Sequence, residues 1–182
     1  EYDSKDILSS SLLILLLGNL IFFALYPILK KIDLFKEYLI LFHLVLLCQG
    51  INTVVAQFSN GIGKIKIFAF NGIINTLVTV LSNIVLLAKF KMGIEGYLLS
   101  ILLANIISIV FIILSVQLWN YIKVPKLKSK LVKEMLNYSI PLIPNTLMWW
   151  IMNVSDRYVI TFMVGVAANG LYAVANKIPT VL

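Results

Sequence analysis

Apolar runs about twenty residues long, each closed by a short cluster of lysine, glycine or asparagine, recur along the whole chain. Residues 7–29 contain no charged side chain, and Gly18, Asn19 and Pro27 are their main interruptions. A helix of that length crosses about 30 Å of hydrocarbon at roughly 1.5 Å per residue. Lys30, Lys31, Asp33, Lys36 and Glu37 then mark a polar connection. A second span is predicted over residues 38–58, with His43, Gln49, Asn52 and Gln57 as its polar members, and the composition of residues 59–64 predicts a turn. A third span covers 67–88 and is closed by Lys89 and Lys91; a corner at 93–96 leads into a fourth over 97–121. Residues 123–134 form the longest polar segment. Beyond it, Pro141 and Pro144 sit where the first turns of a fifth helix would lie, the place where a missing N–H is tolerated. That helix is expected to run to about Gly165, and a corner over 165–170 turns the chain into a sixth. No run alternates with a period of two, so membrane strands are not predicted. The pattern predicts an all-α, polytopic transmembrane helix bundle with six membrane helices, the last truncated.

Composition sharpens this picture. Of 182 residues, 60% are hydrophobic and 13% charged, against about 25% charged in soluble domains; the mean hydropathy is +0.97. The net charge of +7 does not point to nucleic acid, because the lysines punctuate apolar runs and form no common surface. They report orientation instead. Lys5, Lys64, Lys66, Lys123, Lys126, Lys128, Lys130 and Lys133 fall on one side of the predicted membrane, against Lys30, Lys31, Lys36, Lys89 and Lys91 on the other. The bias puts the start of the chain and the 123–133 loop in the cytoplasm, with 165–170 outside. Cys48 has no partner for an intrachain disulfide. With no initiator Met and an end inside an apolar run, the chain is expected to be an internal piece of a longer protein.

Candidate chemistry concentrates after residue 139. Asp156 and Arg157 lie inside an apolar stretch, where a charge costs about 2.5–3.5 kcal/mol on insertion scales. Asp156 falls about 18 Å along the helix from Pro144, past the middle of the hydrocarbon. Arg157 shares a helical stripe with Thr146, Trp150, Asn153 and Thr161; Asn145, Trp149, Asn153 and Asp156 make the adjoining one. Adjacent residues point about 100° apart, so Asp156 and Arg157 do not form an ideal pair. An inter-helix salt bridge, snorkelling to the interface, or a ligand would each satisfy them. Asn169, Tyr172 or Ala173, and Asn176 recur at helical spacing just beyond, with Lys177 beside them.

The run YSIPLIPNTLMWWIMNVSDRYVI…GVAANGLYAVANKIP, with QFSNGIGKIKIFAFNGIINTLVTVLSNIVLL…GIEGYLLS upstream, resembles the O-antigen and oligosaccharide flippases, the polysaccharide-transport branch of the MOP exporters. The resemblance implies the end of an N-terminal bundle over 1–121, a basic cytoplasmic linker over 122–137, and the start of a C-terminal bundle over 138–182. It further implies a transporter of the bacterial cytoplasmic membrane, without cofactor, that flips polyprenyl-diphosphate-linked oligosaccharide by alternating access. Its partners would be that lipid-linked sugar, membrane lipids and polysaccharide polymerase machinery. Arg157 would then meet the diphosphate, since a planar guanidinium binds phosphate bidentately. Asp156 would orient it or hold a cation, Lys177 would add a second positive charge, and Asn145, Trp150, Asn153 and Asn176 would line the cavity.

Other polar rows read first as packing. Asn71, Asn75, Thr79 and Ser82 or Asn83 repeat along the third span, Gln49, Asn52, Thr53 and Gln57 along the second, and Ser100, Ala104 and Ser108 form a small-xxx-small row on the fourth. His43 lacks companions at metal-ligand spacing. No nucleophile elbow, Walker A, H-E-x-x-H or paired-carboxylate pattern occurs, so no enzyme is predicted. The alternatives are another MOP exporter, for drugs and cations or for the cell-wall lipid precursor, and then an integral membrane glycosyltransferase or polymerase. A drug exporter would favour acidic and aromatic cavity residues, against which Arg157 and Lys177 stand. An enzyme would need acidic catalytic groups near a membrane face or a sizeable extramembrane loop.

Overall fold

The computed structural model describes residues 3–24, 26, 38–121 and 129–175, and every regular element among them is helical. Four helices are long and apolar enough to cross a membrane. They are α1 (Ser4–Ala24), α2 (Leu39–Gly61), α3 (Ile65–Asn83, prolonged by a π-helical turn over Ile84–Lys89) and α4 (Gly93–Val116). Two further helices follow, α5 (Ser129–Met163) and α6 (Val166–Ala175). The chain divides into two compact units, Glu1–Leu127 and Lys128–Leu182.

Of the six expected spans, four are supported by length and composition among the described residues. Between residues 135 and 155, α5 carries no charge, but asparagines, prolines, tryptophans and Tyr138 dilute its hydrophobicity. The ten described residues of α6 are too few to span, and the rest of the expected sixth span lies outside the described residues. The prolines also differ from expectation: Pro141 and Pro144 lie inside α5, which begins at Ser129, and not at its start. Each removes a main-chain donor, leaving the carbonyls of Asn137 and Ile140 without their usual partners. The corner is likewise tighter than predicted. Only Val164 and Gly165 interrupt the helix, Gly165 at φ +109°, a conformation that L side chains rarely adopt, and Gly170 is already part of α6.

In the first unit α4 packs against both α2 and α3, and α1 packs on α2. Leu8, Val55, Ala56, Ile112, Val116 and Leu118 form the apolar core where α1 begins and α2 and α4 end. Phe58 meets Tyr121 edge-on there, with ring centres 5.4 Å apart. α4 stops at Gln117, which adopts the left-handed conformation (φ 58°), before a short 3-10 turn over Leu118–Asn120. Elsewhere the distribution is inverted relative to a water-soluble domain. Leu20, Ile21, Phe70, Leu81 and Leu114 are more than half exposed, whereas Ser59, Asn71, Ser100, Asn105 and Ser108 are buried. A continuous apolar surface of this kind is stable against lipid, not against water. The Ser100, Ala104, Ser108 row is wholly buried, as close helix approach by small residues requires.

Candidate functional site

Two polar systems emerge, one in each unit. In the second unit, α5 and α6 pack against each other across the Gly165 corner. The Tyr172 hydroxyl donates to Asp156 Oδ2 at 3.2 Å, and Asn169 Nδ2 donates to Thr161 Oγ1 at 2.7 Å. Thr161 in turn donates back to the Arg157 carbonyl at 2.7 Å. These bonds tie the two helices together and turn Asp156 toward α6. The Arg157 side chain is exposed, and among the described residues neither it nor Asp156 belongs to an ion pair.

Nearer the start of α5 lies a groove of about 450 Å³ lined by Ser139, Leu142, Ile143, Thr146, Leu147 and Trp150. Ser139, Thr146, Trp150 and Arg157 are separated by seven, four and seven residues, so they share one face of α5. Arg157 therefore follows Trp150 on that face about two turns along the helix. Thr146 donates to the Leu142 carbonyl at 2.9 Å, so its hydroxyl is satisfied within the helix and presents a methyl-bearing wall. The groove is lined mainly by apolar side chains, and Arg157 follows it along the same face of α5.

Asn145 is exposed on α5, as are Trp149 and Trp150, each at 62%. Neither indole is packed into the interior of this unit. Asn153 lies on α5 one turn before Arg157. Asn176 and Lys177 lie outside the described residues.

The second system was only half anticipated by sequence. Asn52 of α2, Asn71 and Asn75 of α3 and Asn105 of α4 form one hydrogen-bonded group. Asn52 Nδ2 donates to Asn105 Oδ1 at 3.0 Å, Asn71 Nδ2 to Asn52 Oδ1 at 3.1 Å, and Asn75 Nδ2 to Asn105 Oδ1 at 3.4 Å. Asn105 Nδ2 returns to the Ile101 carbonyl at 2.9 Å. Higher on the same interface Ser100 Oγ donates to Asn83 Oδ1 at 2.5 Å, and at the opposite end Lys64 Nζ caps the Val116 carbonyl at 3.2 Å. Gln49 and Gln57, expected in the same class as Asn52, are exposed. His43 is held in an aromatic cluster, stacked on Phe22 at 5.7 Å and tilted against Phe23 at 5.3 Å.

Comparison with known proteins decides the family. A family model described as polysaccharide biosynthesis protein matches residues 1–182. The chain belongs to that family. No curated protein and no solved structure matches it. A polysaccharide biosynthesis family and four membrane-competent helices together make this a multi-pass membrane protein with a role in polysaccharide biosynthesis or export.

Proposed function

We propose that this member of the polysaccharide biosynthesis family is a transporter, not an enzyme, and that it flips polyprenyl-diphosphate-linked oligosaccharide, an O-antigen or similar repeat unit, across the bacterial cytoplasmic membrane. The observation that carries the reading is an exposed Arg157 on the same face of α5 as an apolar, tryptophan-bearing groove. Such a face suits a ligand with an anionic diphosphate and a sugar ring. Arginine offers two parallel donors to phosphate, and an exposed indole offers a flat apolar surface to a sugar. Asp156, held by Tyr172, shapes the site without neutralising Arg157. α5 then crosses the membrane as a polar-faced helix in the assembled transporter, with a sixth span begun by α6, although neither has the uniform apolarity of α1–α4. Alternating access between two bundles moves the headgroup while the lipid tail stays in the bilayer. A drug and cation exporter is disfavoured by the free arginine.

The test is transport of lipid-linked oligosaccharide by the full-length protein. Losing a charge-assisted contact of about 1.5–3 kcal/mol predicts a roughly ten- to hundred-fold drop in transport for Arg157→Ala. Arg157→Lys keeps the charge without the fork and should fall between. Both variants should reach normal membrane abundance. Reduced abundance of Arg157→Ala would make the residue a structural partner of a carboxylate, and normal abundance with normal transport would remove it from the site.

A further inference from the structure

The α3–α4 interface contains two buried oxygens without partners, and they lie at the same level. The helices are antiparallel, and three contacts define their register: Lys64 to Val116, Asn75 to Asn105, and Asn83 to Ser100. Asn71 is one turn back from Asn75 along α3, and Ser108 is one turn on from Asn105 along α4. The same register therefore brings Asn71 opposite Ser108. Asn71 is 5% exposed and Ser108 fully buried, and both Asn71 Oδ1 and Ser108 Oγ lack a hydrogen-bond partner. Asn71 has its amide engaged by Asn52, so its free carbonyl needs a donor. Ser108 can supply or accept one proton, yet no bond joins the two.

We infer that an ordered water molecule is bound between Asn71 Oδ1 and Ser108 Oγ, inside the first helical unit. Water donates to the carbonyl and still satisfies the hydroxyl, and buried waters characteristically bridge polar groups left unpaired by the protein. A cation does not fit. Asn52, Asn71, Asn75, Asn83, Asn105, Ser100 and Ser108 are all neutral, so an ion's charge would go uncompensated within hydrocarbon. With the water in place, the interface carries hydrogen-bonding groups at several levels between Lys64 and Asn83, a span of about 28 Å by helical rise and close to the hydrocarbon thickness. The asparagine and serine groups join α2, α3 and α4 into one body, with Lys64 the one charged member at its end.

The sign of a stability change tests this. If the oxygens are left dry, Ser108→Ala deletes an unsatisfied buried hydroxyl and leaves the thermal midpoint of the full-length protein in lipid nanodiscs unchanged or raises it. If a water bridges them, Ser108→Ala removes one of its anchors and lowers the midpoint. A double-mutant cycle with Asn71→Ala separates the bridge from simple loss of packing, because the Asn71–Asn52 bond is lost in both arms and cancels. The expected result is a lowered midpoint for each single variant and a double variant losing less than their combined shifts. A midpoint for Ser108→Ala at or above the parent, or strictly additive losses, overturns the water site.

Discussion

Asn105 is the residue on which three helices converge. One side-chain oxygen accepts from α2 and from α3, while its amide returns to its own helix, and the residue is 4% exposed. Removing it strands two amide donors at once. A buried donor without an acceptor costs about 1–3 kcal/mol, although membrane hydrogen bonds average only about 0.6 kcal/mol because the unfolded state also finds partners. Asn105→Ala is therefore expected to destabilise the first unit by roughly 1–3 kcal/mol in reversible unfolding from mixed micelles. Thr53→Ala is the control: its hydroxyl bonds only the Gln49 carbonyl of the same helix, and it should be near neutral. Equal losses from both would mean that the asparagine group is not a distinct source of stability. Sequence periodicity put these asparagines on helical faces but could not pair them. Asn52 and Asn105 are 53 positions apart, and Asp156 meets Tyr172 across 16. Such partners follow from helix packing, which no local pattern encodes. Arg157, Trp150 and Thr146 were legible as a set because they share one face of one helix.

At the scale of elements, the first four helices could be read from the chain because an uncharged run of about twenty residues has few other uses. Their ends shifted by a few residues where main-chain details decide, as at Gly93, which starts α4 in a left-handed conformation. α5 was misread at its start because proline is usually a boundary signal, and here helical residues on both sides carry the chain through it. The join between α3 and α4 offers a sharp test of packing. A Cβ on Gly96 would lie 2.9 Å from Met92 Cβ, 3.3 Å from Leu86 Cβ and 3.4 Å from the Leu86 carbonyl oxygen. That carbonyl belongs to the π-helical turn and accepts from the Met92 amide at 3.1 Å, so the neighbours cannot withdraw without disturbing the turn. Gly50 looks equally crowded, 2.7 Å from Leu15 Cδ1, but there the obstacle is the tip of a flexible side chain. Gly96→Ala should cost about 1–3 kcal/mol by overpacking. Gly50→Ala gains about 1 kcal/mol of helix propensity, which offsets its repacking. Thermal unfolding of the two variants should rank them in that order, and the reverse ranking would contradict this join.

For the whole molecule, the consequential question is whether α5 crosses the membrane. Its 35 residues, Ser129–Met163, extend about 52 Å, well beyond the hydrocarbon thickness. Its lysines, Lys130 and Lys133, lie at the start, where an inward-facing end is expected to hold positive charge. An alternative placement, flat along the interface, would suit a helix with opposed polar and apolar faces. Yet Leu142, Ile143, Leu147, Phe162, Met148 and Met152 all expose apolar surface, and at helical spacing they are distributed around the helix. Only a helix with lipid or protein on nearly every side tolerates that. Cysteines introduced one at a time at Ser129 and at Val166, which is 76% exposed beside the Gly165 corner, in a Cys48→Ala background of the full-length protein, should therefore react from opposite sides of the membrane. An impermeant thiol reagent added outside intact cells should label the Val166 position, and the Ser129 position only after permeabilisation. Labelling of both from outside would lay α5 along one face and withdraw Arg157 from any transmembrane cavity.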